Sequence, residues 1–383
     1  MKIALIRQRY NAFGGAERFI ERAAATLQAG GSISLSLIAR QWKGGQDGQD
    51  TAGLVPCDPF YLGRTWRDWS FARAACREVA RGQYDLVQSH ERIACCDIFR
   101  AGDGVHAQWL INRERVLGTA ACLAQRASPW HRYTLAAERR LFASRRLKAV
   151  ICNSRMVAEE VQAHFGLAAE KLQVIYNGVD LAQFHPGLRA EARKSVRASL
   201  GVPADSMMFL LVGSGFERKG VSQLLQSFAR MDEGARNKAC VVVVGRDRKA
   251  AAMHALARRL GIAGQVYFPG PQRDIAAWYA AADCFVMPAL YDPFPNAALE
   301  AMACGLPVIT STQCGAAELL EPGRTGWSCD ALDGAALAGH MSALEPLQAR
   351  RMGEEARALA ERFPLEATAE QLTSLYRRLL GMS

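Results

Sequence analysis

Met208-Phe-Leu-Leu-Val-Gly213, a helical stretch from Val221 to Met231, and Ala239-Cys-Val-Val-Val-Val-Gly245 are the residues whose reading decides the fold. The two short apolar runs have the β-rich composition of buried strands, and the segment between them has helical length and spacing. The same rhythm continues downstream. A helix around Met253 to Leu260 precedes a strand at Val266-Tyr-Phe, and a helix from Asp274 to Ala282 precedes a strand at Cys284-Phe-Val-Met-Pro. A helix from Asn296 to Cys304 and a strand at Pro307-Val-Ile-Thr follow. Strand and helix alternating at this interval predict a parallel sheet wound with helices, an α/β doubly wound domain.

The first half opens in a related way. Lys2-Ile-Ala-Leu-Ile reads as a strand, Gly14-Gly15 as a turn and Ala16 to about Gln28 as a helix, the sequence of elements that begins a Rossmann unit. Further strands are expected at Ser34 to Ile38, Asp85 to Gln88 and Ala149 to Cys152. Val174-Ile-Tyr-Asn-Gly-Val-Asp closes this half, because Asn-Gly is a strong turn signal. The expected organisation is a first Rossmann-like domain over residues 1–177, a second over 178–362, and a tail over 363–383 whose helix, Pro364 to Leu380, crosses back to the first. Residues 44–53, rich in Gly, Gln and Asp, read as a surface loop.

Composition excludes several classes. No run approaches the roughly 18 apolar residues of a membrane span, and Arg7 and Arg9 interrupt the amino-terminal region where a signal peptide would be apolar. A cytoplasmic protein is expected. The 11 cysteines form no CxxC, and Cys152, Cys240 and Cys284 sit in apolar runs, so reduced thiols packed as small hydrophobes are expected, without disulfides or structural zinc. The formal charge is +10, and residues 1–170 hold 24 Lys and Arg against 16 Asp and Glu, a net of +8. The positive field therefore belongs to the first half, where it suits an anionic membrane, a phosphorylated substrate or nucleic acid.

The sharpest chemical signal is Tyr291-Asp292-Pro-Phe-Pro-Asn296-Ala-Ala-Leu-Glu300-Ala-Met-Ala-Cys-Gly305-Leu-Pro307-Val, a loop that leaves a strand and enters a helix. An acidic residue at the carboxyl edge of a sheet can accept hydrogen bonds from sugar hydroxyls, and another one to two turns into the helix can reach a ribose diol. This segment resembles the retaining GT-B enzymes of glycosyltransferase family 4, whose signature is two acidic residues separated by seven positions, here Asp292 and Glu300. The family usually carries Glu at the first of these, so Asp292 is one methylene shorter. The resemblance implies two Rossmann-like domains facing across a cleft and a nucleotide-sugar donor in the second. It implies donor contacts from Asp292, Glu300 and the backbone of Phe294, Asn296 and Ala297 at the helix start.

Val212-Gly213-Ser214-Gly215-Phe-Glu-Arg218-Lys219-Gly220 follows the first strand of the second domain. Cleavage of a nucleotide sugar requires stabilisation of the charge growing on the leaving diphosphate, and two cations can supply it without a metal. Arg218 and Lys219 fit, the glycines allow close backbone approach, and the chain contains no Asp-x-Asp metal pair. Neither a metal nor a cofactor is expected, only the donor as substrate. Arg246 follows the next strand, and Thr310 to Glu318 resembles the family's glycine loop near the donor. The resemblance also implies that the Gly14-Gly15 turn of the first domain faces the donor. The resemblance further implies that a side chain near Ser89-His90-Glu91 or Arg100-Ala-Gly-Asp103-Gly-Val-His106 meets the transferred sugar, and it favours Asp103, with His106 and His90 as alternatives.

From Arg113 to Lys148 there are nine basic residues against two acidic ones. A helix over Trp130 to Leu147 would place Arg132, Arg139 and Arg146 on one face with Leu135 and Phe142, a pattern suited to an anionic interface. Trp66, Trp69, Phe71 and Trp109 are either interfacial or core aromatics. The expected acceptor is a lipid-linked or phosphorylated saccharide, met at the inner face of the membrane by a peripheral enzyme. Within the family the resemblance points to enzymes that add glucose from UDP-glucose to the heptose of the lipopolysaccharide inner core. The rivals are a related transferase to another acceptor, a sugar epimerase, and a basic nucleic-acid-binding protein. No recognition-helix or stacking motif supports the last, so no nucleic-acid partner is expected.

Overall fold

The computed structural model describes residues 1–8, 33–40 and 53–382. Gly14, Gly15, the expected helix from Ala16 and most of the 44–53 segment lie outside the described residues. The chain forms two compact units, Met1–Asn177 together with Leu365–Ser383, and Gly178–Pro364.

The first unit contains β1 (Lys2–Ile6), β2 (Ser34–Ala39), β3 (Gly53–Pro56), β4 (Leu86–Ser89), β5 (Ile98–Arg100), β6 (Ala149–Cys152) and β7 (Leu172–Val174). They form one parallel sheet in the order β3-β2-β1-β4-β5-β6-β7. Side chains alternate across it, as the twofold period of a strand requires. Ala4 and Ile6 pack with Phe71, Leu141 and Phe142 on one face, while Ile3 and Leu5 pack with Leu372, Leu375 and Tyr376 on the other. The last three belong to the Leu365–Leu379 helix, which is how the end of the chain becomes part of the first unit.

The second unit contains β8 (Met207–Val212), β9 (Ala239–Val244), β10 (Val266–Gly270), β11 (Cys284–Met287), β12 (Val308–Ser311) and β13 (Gly326–Cys329), all parallel, in the order β10-β9-β8-β11-β12-β13. β9, β11 and β12 are buried along their whole length; β9 and β11 run apolar without alternation, while β12 ends in Thr310 and Ser311, whose buried hydroxyls donate to the carbonyls of Met287 and Ala289. Among the described residues, β3, β7 and β13 are short strands that the sequence pattern does not announce. Each extends a sheet edge and is recruited by its neighbour's backbone rather than by its own hydrophobicity.

Both sheets reverse their strand order once, between β1 and β4 in the first and between β8 and β11 in the second. At such a switch point the loops leaving two adjacent strands diverge and open a crevice at the carboxyl edge, where ligands bind in open α/β sheets. The Arg189–Leu200 helix is tied to this second sheet by Asp283, which accepts from Arg189, Arg193 and Arg197 at 2.7, 2.6 and 2.5 Å and from the backbone N–H of Met208 at 2.9 Å.

The cysteines depart from expectation at one pair. Cys76, on the Gly63–Arg81 helix, is bonded to Cys95 in the β4–β5 connection. The 19-residue separation carries no motif, and only the packing of that helix on the sheet brings the two sulfurs together. The nine other cysteines are free and mostly buried, and burial pushes the thiols of Cys152, Cys240 and Cys304 up to about 12, which keeps them inert.

Candidate active site

In the second unit the two motifs meet at the switch point. Gly213 to Gly220 leaves β8, and Pro288 to Pro295 leaves β11. The Lys219 ammonium donates to Asp292 Oδ2 at 2.8 Å, and the two side chains are only 18% and 11% exposed. Arg218 donates from Nε to the Tyr291 carbonyl at 2.9 Å, with its guanidinium 5.4 Å from the centroid of the Tyr291 ring. The backbone N–H of Leu290 donates to the Arg218 carbonyl at 2.8 Å, so the loops are stitched by main chain as well as side chain.

Glycine is required where these loops touch. A Cβ on Gly245, the residue after β9, would lie 2.1 Å from the Gly213 carbonyl oxygen. One on Gly213, at φ +147°, would lie 2.5 Å from Cδ and Cε of Lys219, so its absence makes room for that side chain to lie along the loop.

Asp292 is also fastened from its other side. Its N–H donates to the Gln313 carbonyl at 3.0 Å and its carbonyl accepts from Gly315 N–H at 2.8 Å, which brings the Thr310 to Glu318 segment beside the acidic loop. Phe294 is buried, Asn296 and Ala297 open the Asn296–Ala303 helix, and Glu300 lies one turn in, 8% exposed. Glu300 Oε2 accepts a 2.9 Å hydrogen bond from the hydroxyl of the fully buried Tyr279, a partner that sequence reasoning did not find. Ser214 and Arg246 follow the ends of β8 and β9, both exposed on the same edge of the sheet.

In the first unit the candidates separate by environment. Asp103 sits in the turn after β5 with its side chain 56% exposed, 3.9 Å from Arg7 at the end of β1. His90 is buried and engaged with Gln88 at 3.1 Å; burial, then Arg7 and Arg100, holds its ring well below the usual histidine range. His106 is buried with Nε2 3.0 Å from His131 Nδ1. Its backbone N–H donates to Glu138 at 2.7 Å, and Arg92 donates to the same carboxylate at 2.8 Å. Glu138, 1% exposed, therefore holds the start of the His106–Glu114 helix; as one glutamate in an arginine-rich segment it offered no sequence signal.

The basic helix is shorter than expected. It spans Pro129–Phe142, and the chain then turns to enter β6 at Ala149. Arg132 and Arg139 are exposed on it, but Arg146 lies beyond its end and donates to Asp97 at 3.3 Å, so the three arginines do not share a helix face. Phe142 belongs to the core, in contact with Phe99 and Phe165. Phe71 is also core, whereas Trp66 and Trp69 are 42% and 44% exposed. No helix among the described residues is long and apolar enough to cross a membrane.

Comparison with known proteins agrees with this geometry. The profile described as "Glycosyl transferases group 1" matches residues 192–359, and "Glycosyltransferase Family 4" matches residues 13–183. D-inositol 3-phosphate glycosyltransferase 2 of Catenulispora acidiphila is 33% identical over 78% of this chain and 71% of its own. The chain belongs to the group 1, family 4 glycosyltransferases. Lipopolysaccharide glucosyltransferase WaaG of Escherichia coli is 26% identical over 85% of this glycosyltransferase and 84% of its own length. A WaaG crystal structure superposes with a TM-score of 0.84 at 23% identity, covering 98% of this chain and 99% of that one, so the fold is of the GT-B type.

Proposed function

We propose that this glycosyltransferase moves glucose from UDP-glucose, with retention and without a metal, onto a lipid-linked saccharide, the heptose of the lipopolysaccharide inner core. The observation that carries the reading is the 2.8 Å contact between Lys219 and Asp292 at the β8/β11 switch point. A cation suited to a diphosphate beside a carboxylate suited to the adjoining hexose is what adjacent parts of one donor would call for. In this reading Arg218 and Lys219 take up the charge that grows on the leaving diphosphate, a role in which one well-placed donor contributes a factor of roughly a hundred to a thousand. Asp292 accepts from the sugar hydroxyls and Glu300 from the ribose diol, while Gly213, Ser214, Arg246 and the backbone of Phe294, Asn296 and Ala297 line the donor.

As the bond from C1 to the diphosphate oxygen breaks, the acceptor oxygen bonds to C1 on the same face, and the acceptor's proton passes to the departing phosphate oxygen. Asp103 is assigned to a hydroxyl of the transferred sugar because His90 and His106 direct ring nitrogens at Gln88 and His131. Gly14 and Gly15 are assigned to the donor by resemblance. The exposed Arg132 and Arg139, without Arg146, are assigned to an anionic membrane surface, where each contributes about 1 kcal/mol of attraction. A phosphorylated acceptor is the second reading. Two cations near His90, Arg7 and the buried Arg100, favour it, and relatives named for D-inositol 3-phosphate are consistent with it.

Mass spectrometry of a heptose-terminated core saccharide incubated with UDP-glucose, UDP-galactose, UDP-N-acetylglucosamine or GDP-mannose tests the proposal. A gain of one hexose from UDP-glucose, lost in Asp292→Asn and Lys219→Ala, is expected. Transfer only to an inositol phosphate would replace the first reading with the second. Failure to bind anionic vesicles at physiological salt would remove the membrane assignment.

A further inference from the structure

Tyr279 and Glu300 meet in a buried polar contact. Tyr279 lies on the Ile275–Ala281 helix, with its ring edge-on to Phe184 at 5.9 Å and tilted on Phe285 at 6.2 Å. The ring is fully buried, and its hydroxyl donates to Glu300 Oε2 at 2.9 Å. Phe184 is itself held in place, since Arg357 donates at 2.8 Å to both the Phe184 carbonyl and the carbonyl of Ala303 at the end of the Glu300 helix. The phenol, its aromatic wall and the helix that carries the carboxylate are thus tied together.

A glutamate has three side-chain torsions, and a carboxylate that must accept two hydroxyls of a cis-diol at once needs its plane set before the ligand arrives. A fixed phenol donating to one oxygen sets that plane. We propose that Tyr279 is a positioning residue for ribose recognition: by fixing Glu300 it makes the donor site select ribonucleotides over nucleotides that lack the 2′- and 3′-hydroxyls. This rests on the assignment of Glu300 to the ribose, and the experiment separates the two.

Isothermal titration would compare UDP with 2′,3′-dideoxy-UDP on the wild type, Tyr279→Phe and Glu300→Gln; GDP and ADP with their dideoxy forms replace this pair if either binds more tightly. Hydrogen bonds to an ionised group make the wild-type preference for the ribonucleotide about a hundredfold. Tyr279→Phe is expected to cut that preference to about tenfold, to leave dideoxy affinity within about twofold, and to raise the donor KM while kcat at saturating donor stays put. Unchanged dideoxy affinity is also the control for folding. If Tyr279→Phe keeps the full preference, or weakens both ligands equally, the positioning role is refuted while Glu300 keeps its assignment. If the wild type shows no preference, Glu300 does not read the ribose and both statements fall, as they also do if none of the three nucleoside diphosphates binds.

Discussion

Replacing Lys219 by Met separates what this lysine does for the fold from what it does for the donor. At 2.8 Å and an effective dielectric constant of about 20, the Coulomb attraction to Asp292 is about 6 kcal/mol, an upper bound before desolvation is subtracted. With the side chains 18% and 11% exposed, desolvation cancels much of this, and a net loss of about 1 to 3 kcal/mol is expected when Met leaves the carboxylate unpaired. For a unit of this size that lowers Tm by roughly 3 to 10 °C. Turnover should fall further, by a factor of about 100 to 1000, because the missing cation would have met charge that develops only in the transition state. Differential scanning fluorimetry and release of nucleoside diphosphate from UDP-glucose measure the two effects. The double variant Lys219→Met/Asp292→Asn removes the unpaired charge and should regain most of the lost Tm without regaining turnover. Recovery of both would mean that Lys219 serves only to neutralise Asp292, and the diphosphate role would be wrong.

Three further outcomes follow from the structure. His90 and His131 are both held below the usual histidine pKa, first by burial and then by arginines, Arg7 and Arg100 for the one and Arg113 and Arg64 for the other. The unfolded chain then binds more protons than the folded one below pH about 6.5, so stability present above that pH declines as the medium is acidified; a denaturant midpoint that rose between pH 7.5 and 5 would contradict the assignment. Asp283→Asn leaves three guanidiniums around a neutral amide and should cost about 3 to 5 kcal/mol in urea unfolding, whereas a loss under 1 kcal/mol would show that the backbone carbonyls around those arginines suffice. Cys76→Ser opens a loop of 19 residues and should destabilise the oxidised protein by about 3 kcal/mol while leaving the reduced protein unchanged; peptide mapping without reductant and paired denaturation curves check both.

The second unit was readable in the sequence because its central strands, β8, β9 and β11, are buried along nearly their whole length. Such strands are written as unbroken apolar runs, Ala239 to Val244 being the clearest, and each stops where a functional loop begins. The edge strands β3 and β13 were silent for the converse reason, since an edge residue is half solvated and its composition is free to vary. The basic helix shows where a periodic pattern misleads. Arg132, Arg139 and Arg146 keep a seven-residue spacing, but spacing says nothing of where a helix must stop, and the need to enter β6 at Ala149 ends it at Phe142.

What the sequence determined by itself was local: the alternation of strand and helix, the loops leaving β8 and β11, and the residue types that those loops carry. Short-range sterics and burial write these into contiguous residues, so contiguous residues suffice to read them. Tertiary structure alone decided which distant groups touch. The Lys219–Asp292 pair spans 73 positions, Arg92–Glu138 spans 46 and Tyr279–Glu300 spans 21. Each contact depends on strand order and helix docking, which are settled by packing the whole sheet and leave no mark on the residues that meet.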